Sequence, residues 1–146
     1  MLKGLPLMGA PPPDSSEAIR MRRLKEQARR FSAYERWDPN NSRFEMRLLV
    51  QPVHRYRDAK RHIIDGAVFL LAVENNPQVL LLLEMLEKEK NGSEWQYLLA
   101  RVSSAELHVS LDGKEVWARD RTPGIVGSNT DPYWHMVSLP IGEVAP

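Results

Sequence analysis

"DGAVFLLAVENNPQVLLLLEMLEKEKNG", Asp65 to Gly92, is the most apolar stretch of the chain, and its reading decides the fold. A membrane span, a buried helix and a pair of strands compete for it. The longest uninterrupted apolar run, Ala67 to Val73, is far shorter than the roughly 20 residues a bilayer helix needs. "ENNPQ" then places polar and turn-forming residues in the middle, so no membrane span is expected. Ala67 to Val73 is apolar at odd and even positions alike and holds β-branched and aromatic side chains. It is bounded by Asp65-Gly66 and by Asn75-Asn76-Pro77. This combination predicts a central strand covered on both faces.

The second half of the stretch admits two readings. Asn76 can cap a helix with Pro77 at its first position, followed by strong helix formers and by Lys88 and Lys90 near the end. Against this, Val79 to Leu83 is apolar all round, and the preceding strand needs a partner close in sequence. Asn91-Gly92 is a hairpin signal leading into "WQYLLARV", itself a clear strand. A strand from Val79 to about Leu86 is the favoured reading, with turns at Asn75–Pro77 and Asn91-Gly92; the helix stays open.

Outward from this centre, "AELHVSLDGKEVWAR" places Asp112-Gly113 between two alternating runs, the signature of a tight hairpin. Pairing from that turn sets Val109 against Val116 and Leu107 against Ala118, with His108 opposite Trp117 and Glu106 opposite Arg119 on the other face. Upstream, Phe44, Met46, Leu48 and Val50 alternate along "RFEMRLLVQ" as in a half-buried strand. Pro52 must end it, bulge it or place it on an edge. "HRYRDAKRHII" then reads as basic and turn-like.

Before the sheet, Asp14 and Glu17 have capping-box spacing, and Met21, Leu24, Ala28, Phe31 and Tyr34 recur at helical intervals. A helix over residues 14–37 is expected, with Arg20, Arg22, Arg23, Lys25, Arg29, Arg30 and Arg36 turned to water. Its interspersed glutamates and thin stripe suit docking on its own domain or a partner better than a membrane surface. Residues 1–13, with prolines at Pro6 and Pro11–Pro13, read as a flexible leader whose apolar run is too interrupted for an export signal. The compartment therefore stays open between the cytoplasm and export under a signal missing from this chain. Residues 120–146 read as an irregular tail packing through Ile125, Tyr133, Trp134 and Val137.

Composition bounds the rest. The chain has 146 residues, suited to one domain (14–146) around one core, with 43–119 as the β core. Its net charge of +1 supplies no overall field for nucleic acid. The absence of cysteine excludes disulfides, thiolate metal sites and cysteine nucleophiles.

The stretches "RLLVQPVHRY", "DGAVFLLAVENNPQVLLLLE" and "WQYLLARVSSAELHVSLDGKEVW" together resemble a set of uncharacterised bacterial proteins. Those proteins share "LLPxPxYRY", "DGALF", "DPEVLLLLE" and "WxYxxAR" motifs. The likeness runs from Phe44 to Trp117, with Val50 in place of the first motif's first proline and His54 in place of its first tyrosine. The resemblance implies a self-contained module. It carries no activity and transfers no site residue.

Motifs for chemistry are sparse. His54, His62, His108 and His135 have no ligand partner at the spacings of a zinc site, so no metal and no cofactor is expected. "GIVGSNT" lacks the lysine and preceding strand of a phosphate loop, and no GxSxG occurs. Ser103, Ser104, His108 and Asp112 form a triad only on paper, being one hairpin's turn and surface.

Two groups are candidate ligand-binding sites. His54, Arg55, Tyr56 and Arg57 combine stacking, charge and hydrogen bonding suited to an anionic or sugar ligand. Tyr133, Trp134 and His135, with Trp117, would form an aromatic patch if exposed. The bland alternatives are a solvated strand and core anchors.

The expectation is a mainly β, antiparallel sandwich or strongly bent sheet with one N-terminal amphipathic helix. The leading functional reading is a non-catalytic module binding a protein or a small polar ligand. A small enzyme with its site near His54 and Tyr56 is the second. The third is a structural homo-oligomer dimerising through a sheet edge or the helix.

Overall fold

A computed structural model describes residues 2–37, 40, 42–88 and 92–122. Within them the protein is mainly β, with two antiparallel sheets and one α-helix. The elements are β1 (Leu5–Pro6), α1 (Glu17–Ala28), β2 (Phe31–Arg36), β3 (Arg43–Glu45), β4 (Arg47–Asp58), β5 (Ile63–Val73), β6 (Asn76–Lys88), β7 (Gly92–Arg101), β8 (Glu106–Leu111) and β9 (Lys114–Arg119). The larger sheet has the order β1-β7-β6-β5-β4, the smaller β3-β2-β8-β9. Met46 lies where the chain passes from one sheet to the other, its N–H donating to the Ala33 carbonyl at 2.9 Å.

The apolar stretch from Asp65 forms the centre of the larger sheet, and its second half is strand β6 rather than a helix. Register explains the inward half of the apolarity of β5 and β6. Ala67, Phe69 and Leu71 pair with Leu83, Leu81 and Val79, and these meet Tyr97, Leu99 and Arg101 on β7. The odd-numbered leucines, Phe69, Val79 and Met85 are fully buried against Leu107 and Val109 of the smaller sheet and Leu24 and Ala28 of α1. Phe31 meets Tyr97 edge-on at 5.2 Å, one of the contacts that close the sandwich. The tight turn between β5 and β6 is Glu74–Asn75, slightly earlier than expected, with Glu74 left-handed at φ 53°.

Several sequence expectations are corrected. The helix stops at Ala28, and Phe31–Arg36 is a strand. Phe31 and Tyr34 fit a helical interval, but Phe31, Ala33 and Glu35 face inward together while Ser32 is exposed and Tyr34 and Arg36 only partly covered. Pairing of β2 with both β3 and β8 overrides the weak local preference for helix. Asp14 does not form a capping box with Glu17. Its carboxylate accepts from Ser16 N–H at 2.8 Å, so Ser16 becomes the cap position two residues later. Arg20 faces inward and is buried instead of turned to water.

The leader, expected to be flexible, is docked. β1 pairs with the edge of β7, Leu7 is buried, and the Trp95 indole N–H donates to the Pro11 carbonyl at 2.8 Å. "HRYRD" is not a turn but the continuation of β4 as an edge strand, past a register shift between Leu49 and His54 that absorbs Pro52. In the last hairpin the Asp112-Gly113 turn is as expected, but Val116 is an additional residue on β9. The bulge sets Val109 opposite Trp117, His108 opposite Ala118 and Leu107 opposite Arg119. No helix among the described residues is long and apolar enough to cross a membrane.

Candidate functional site

Strand alternation divides the His54–Arg57 group between two faces. Arg55 and Arg57 turn toward α1. Arg55 grips Asp65 with two nitrogens, Nε at 2.9 Å from Oδ1 and Nη2 at 2.6 Å from Oδ2, while Arg20 Nε reaches Oδ2 at 2.9 Å. Glu17 receives Arg55 at 3.3 Å and Arg57 at 2.8 Å. Arg20 also donates to the carbonyls of Asp14 and Ser15 ahead of the helix. Asp65 has no exposed surface. Burial alone would raise its pKa, but hydrogen bonds from Arg55 and Arg20 outweigh this and hold the carboxyl below its usual range. These arginines fasten the helix to β4 and β5, Arg55 through buried Asp65 and Arg57 through the exposed Glu17.

His54 and Tyr56 turn to the opposite face, the outer face of the larger sheet. Their rings stack with centroids 5.9 Å apart. Tyr56, Gly66, Glu84 and Gln96 occupy paired positions in one row across β4, β5, β6 and β7. The Tyr56 ring lies over Gly66, where a Cβ would stand 2.8 Å from ring carbons. Its hydroxyl thereby reaches Glu84 Oε1 at 2.7 Å. Gln96 Nε2 donates to the other Glu84 oxygen, and Arg61 Nη2 stands 4.0 Å from Oε1. Burial first, and then the bond to Glu84, push the Tyr56 pKa well up, so the phenol keeps its proton and acts as a donor.

The adjoining rows are apolar. His54, Val68, Leu82 and Leu98 form the next, and Leu49, Leu70, Leu80 and Ala100 the one after. Apart from buried Leu98 and exposed His54, these residues are half-buried. An antiparallel sheet with a free face ordinarily alternates apolar with polar. Among the described residues nothing packs over the middle of this face. Yet beside the Tyr56–Glu84–Gln96 row it carries Val68, Leu82 and Leu98, then Leu49, Leu70, Leu80 and Ala100, with the polar His54 and Glu94 toward its margins. An open cavity of about 510 Å³ lies over the junction, lined by Leu2, Tyr56, Arg61, Leu82, Glu84 and Leu98.

Glu84 is 1% exposed and was not singled out from the sequence. The available signal was a lone carboxylate at the outward parity of a strand otherwise apolar on both faces. Trp117 is half-buried against the core with Arg119 over its ring at 4.7 Å, so it does not extend this surface. Tyr133, Trp134 and His135 lie outside the described residues. The paper triad is absent: His108 lies between Glu106 and Glu115, at 2.8 and 2.7 Å, and Asp112 pairs with Arg30 at 2.6 Å. Among the described residues no group of His, Asp and Glu is placed to hold a metal ion.

Comparison with protein families, curated proteins and solved structures finds no match for this chain.

Proposed function

We propose that this protein is a non-catalytic binding module whose ligand surface is the outer face of the five-stranded sheet. The observation that carries the reading is the contrast within that face. Two rows of half-buried apolar side chains adjoin one polar row built around a buried carboxylate. Contiguous exposed apolar surface marks interaction sites, and convergent polar groups at one end supply orientation. The cavity of about 510 Å³ is of the size that small ligands fill. The Tyr56 phenol keeps its proton and commits it to Glu84, so it offers a ligand an acceptor oxygen and is unsuited to proton abstraction.

The resemblance to uncharacterised bacterial proteins supports a self-contained module. Arg55 and Tyr56, Asp65 and Gly66, and Glu84 all fall in the stretches that carry it, and they meet in the two clusters described above. Against dimerisation through the β4 edge, Pro52 lacks a donor, and Arg47, Arg57 and the register shift blunt the strand.

The test uses a neutral apolar dye, Nile red. The full chain should enhance its fluorescence, and Leu82→Asp should abolish the enhancement while the urea midpoint changes little. Enhancement unchanged in Leu82→Asp places the apolar surface elsewhere and overturns the reading.

A further inference from the structure

Glu84 is almost fully buried on a mostly apolar sheet face, and among the described residues its two oxygens receive direct hydrogen bonds only from neutral groups. Tyr56 and Gln96 each donate one hydrogen bond, and both are neutral groups. A carboxylate offers about four acceptor positions, so the direct bonds described leave room for more. The nearest cation, Arg61, stands 4.0 Å away, beyond hydrogen-bond reach, with 58% of its side chain in solvent. A buried carboxylate without a directly bonded cation is only partly compensated. Arg61 therefore marks the direction from which positive charge is drawn without filling the position.

Around that carboxylate the cavity is lined by Leu2, Leu82 and Leu98, with Tyr56 and Arg61 completing its wall. A ligand anion could pair only with Arg61, 58% of whose side chain is in solvent, while meeting like charge at Glu84 and losing hydration against leucine. A neutral alcohol would gain a hydrogen bond but no charge pairing. An ammonium group on an apolar body satisfies both parts of the site: its N–H groups complete the acceptor positions of Glu84, and its hydrocarbon lies along the leucine rows. Charged hydrogen bonds are about twice as strong as neutral ones.

We propose that the Tyr56–Glu84 end of the outer face binds a small protonated amine carried on an apolar body. This deepens the binding-module reading and rests on it. It assigns Glu84 as the charge-pairing residue, Tyr56 and Gln96 as the groups that orient it, and Arg61 as an intramolecular competitor.

The experiment measures the affinities of n-hexylammonium, 1-hexanol and hexanoate for the full chain by calorimetry, with leucine-methyl NMR to locate each probe. Hexylammonium should bind about tenfold more tightly than hexanol, the factor that one additional charged hydrogen bond supplies. Hexanoate should bind most weakly. Glu84→Gln should bring ammonium and alcohol to similar affinity. Arg61→Ala, an exposed substitution that leaves the sheet intact, should tighten hexylammonium severalfold by removing the competitor.

Equal binding of ammonium and alcohol to the parent chain, or weaker ammonium binding by Arg61→Ala, overturns the proposal. In either case hexanol shifts at Leu82 and Leu98 still uphold the face as a ligand surface. If none of the three probes shifts those methyls, both readings fall. If sedimentation then shows a concentration-dependent dimer, a second copy holds the face. Should Glu84→Gln not fold, Arg61→Ala and the ranking of the three probes decide the matter.

Discussion

Tyr56 reaches Glu84 only because Gly66 stands between them. The three residues occupy successive strands of one row, and the ring lies across the position where a Cβ on Gly66 would be. The sheet thus uses a missing side chain to bring a phenol to a buried carboxylate two strands away.

Gly66→Ala should therefore displace the ring, since the added methyl would sit 2.8 Å from its carbons. Overpacking and loss of the Tyr56–Glu84 hydrogen bond together should lower stability by about 2 kcal/mol. Tyr56→Phe, which loses the bond alone, should cost about 1 kcal/mol. Urea unfolding of the two variants checks this ordering. A Gly66→Ala protein as stable as the parent would mean that the ring does not rest there.

Asp65 predicts a larger effect from the opposite face. It is wholly buried and holds Arg55 and Arg20 together beneath α1. Asp65→Ala leaves Arg20, itself buried, with no carboxylate and should cost about 3 kcal/mol or more. Because its folded pKa is depressed, its stabilising contribution is present above the unfolded value. It is lost as the pH falls through the folded one. Acid unfolding should thus begin at higher pH in proteins lacking Arg55 than in the parent, as followed by circular dichroism.

His108 predicts a pH dependence of opposite sign. Burial lowers its pKa, but hydrogen bonds to Glu106 and Glu115 outweigh that and raise it above the ordinary value. The ring also stacks on Tyr34 at 4.5 Å, and Tyr34 in turn carries Arg43 at 3.8 Å and Arg36 at 5.8 Å. A raised folded pKa means that the contribution is fully present below the unfolded value of about 6.5. It disappears as pH rises through the folded pKa. The urea midpoint of the parent should fall between pH 6 and 9 more than that of His108→Gln. Parallel pH profiles for the two would exclude an imidazolium between the carboxylates.

The leader makes a fourth test. Leu7 is buried in the core cluster, and its N–H donates to the Trp95 carbonyl at 2.8 Å. Leu7→Ala should cost about 2–3 kcal/mol, as for a buried leucine, whereas loss of a residue from a mobile leader would cost nothing. Trp95 fluorescence should shift to longer wavelength when residues 2–13 are removed, because Pro11 then no longer receives the indole N–H.

The parts of the fold readable from the sequence are those where a pattern has one meaning. Ala67–Val73 is a strand as expected, but only its inward side is fully covered, Val68 and Leu70 on the other side being half-buried, and Asp112-Gly113 turns the expected hairpin. Where two periods coexist, the local pattern misleads. Phe31 and Tyr34 satisfy a helical interval, yet the burial of Phe31, Ala33 and Glu35 follows the period of two imposed by pairing with β8. The bulge at Val116 has no marker in composition, so pairing counted from the turn falls one residue out of step beyond it.

The candidate site was half legible. Pro52 marks His54–Arg57 in the sequence, but a strand sends neighbours to opposite faces, so the four do not form one cluster. Two of them anchor the helix and two face outward. Glu84 and Gln96 could not be joined to Tyr56 without the register of β4, β5, β6 and β7. Arg20 looked like one more solvated arginine because its partner lies 45 residues away.

The central claim is that the outer face of the five-stranded sheet is the ligand surface. Methyl-detected NMR of the full chain, titrated with a fragment mixture of apolar amines, alcohols and acids, tests it most directly. The account predicts saturable shifts concentrated at Val68, Leu80, Leu82 and Leu98, with Leu71, Leu81 and Leu83 on the buried face unmoved. Shifts confined to the smaller sheet or spread evenly over the core, with Leu82 and Leu98 silent, would contradict it.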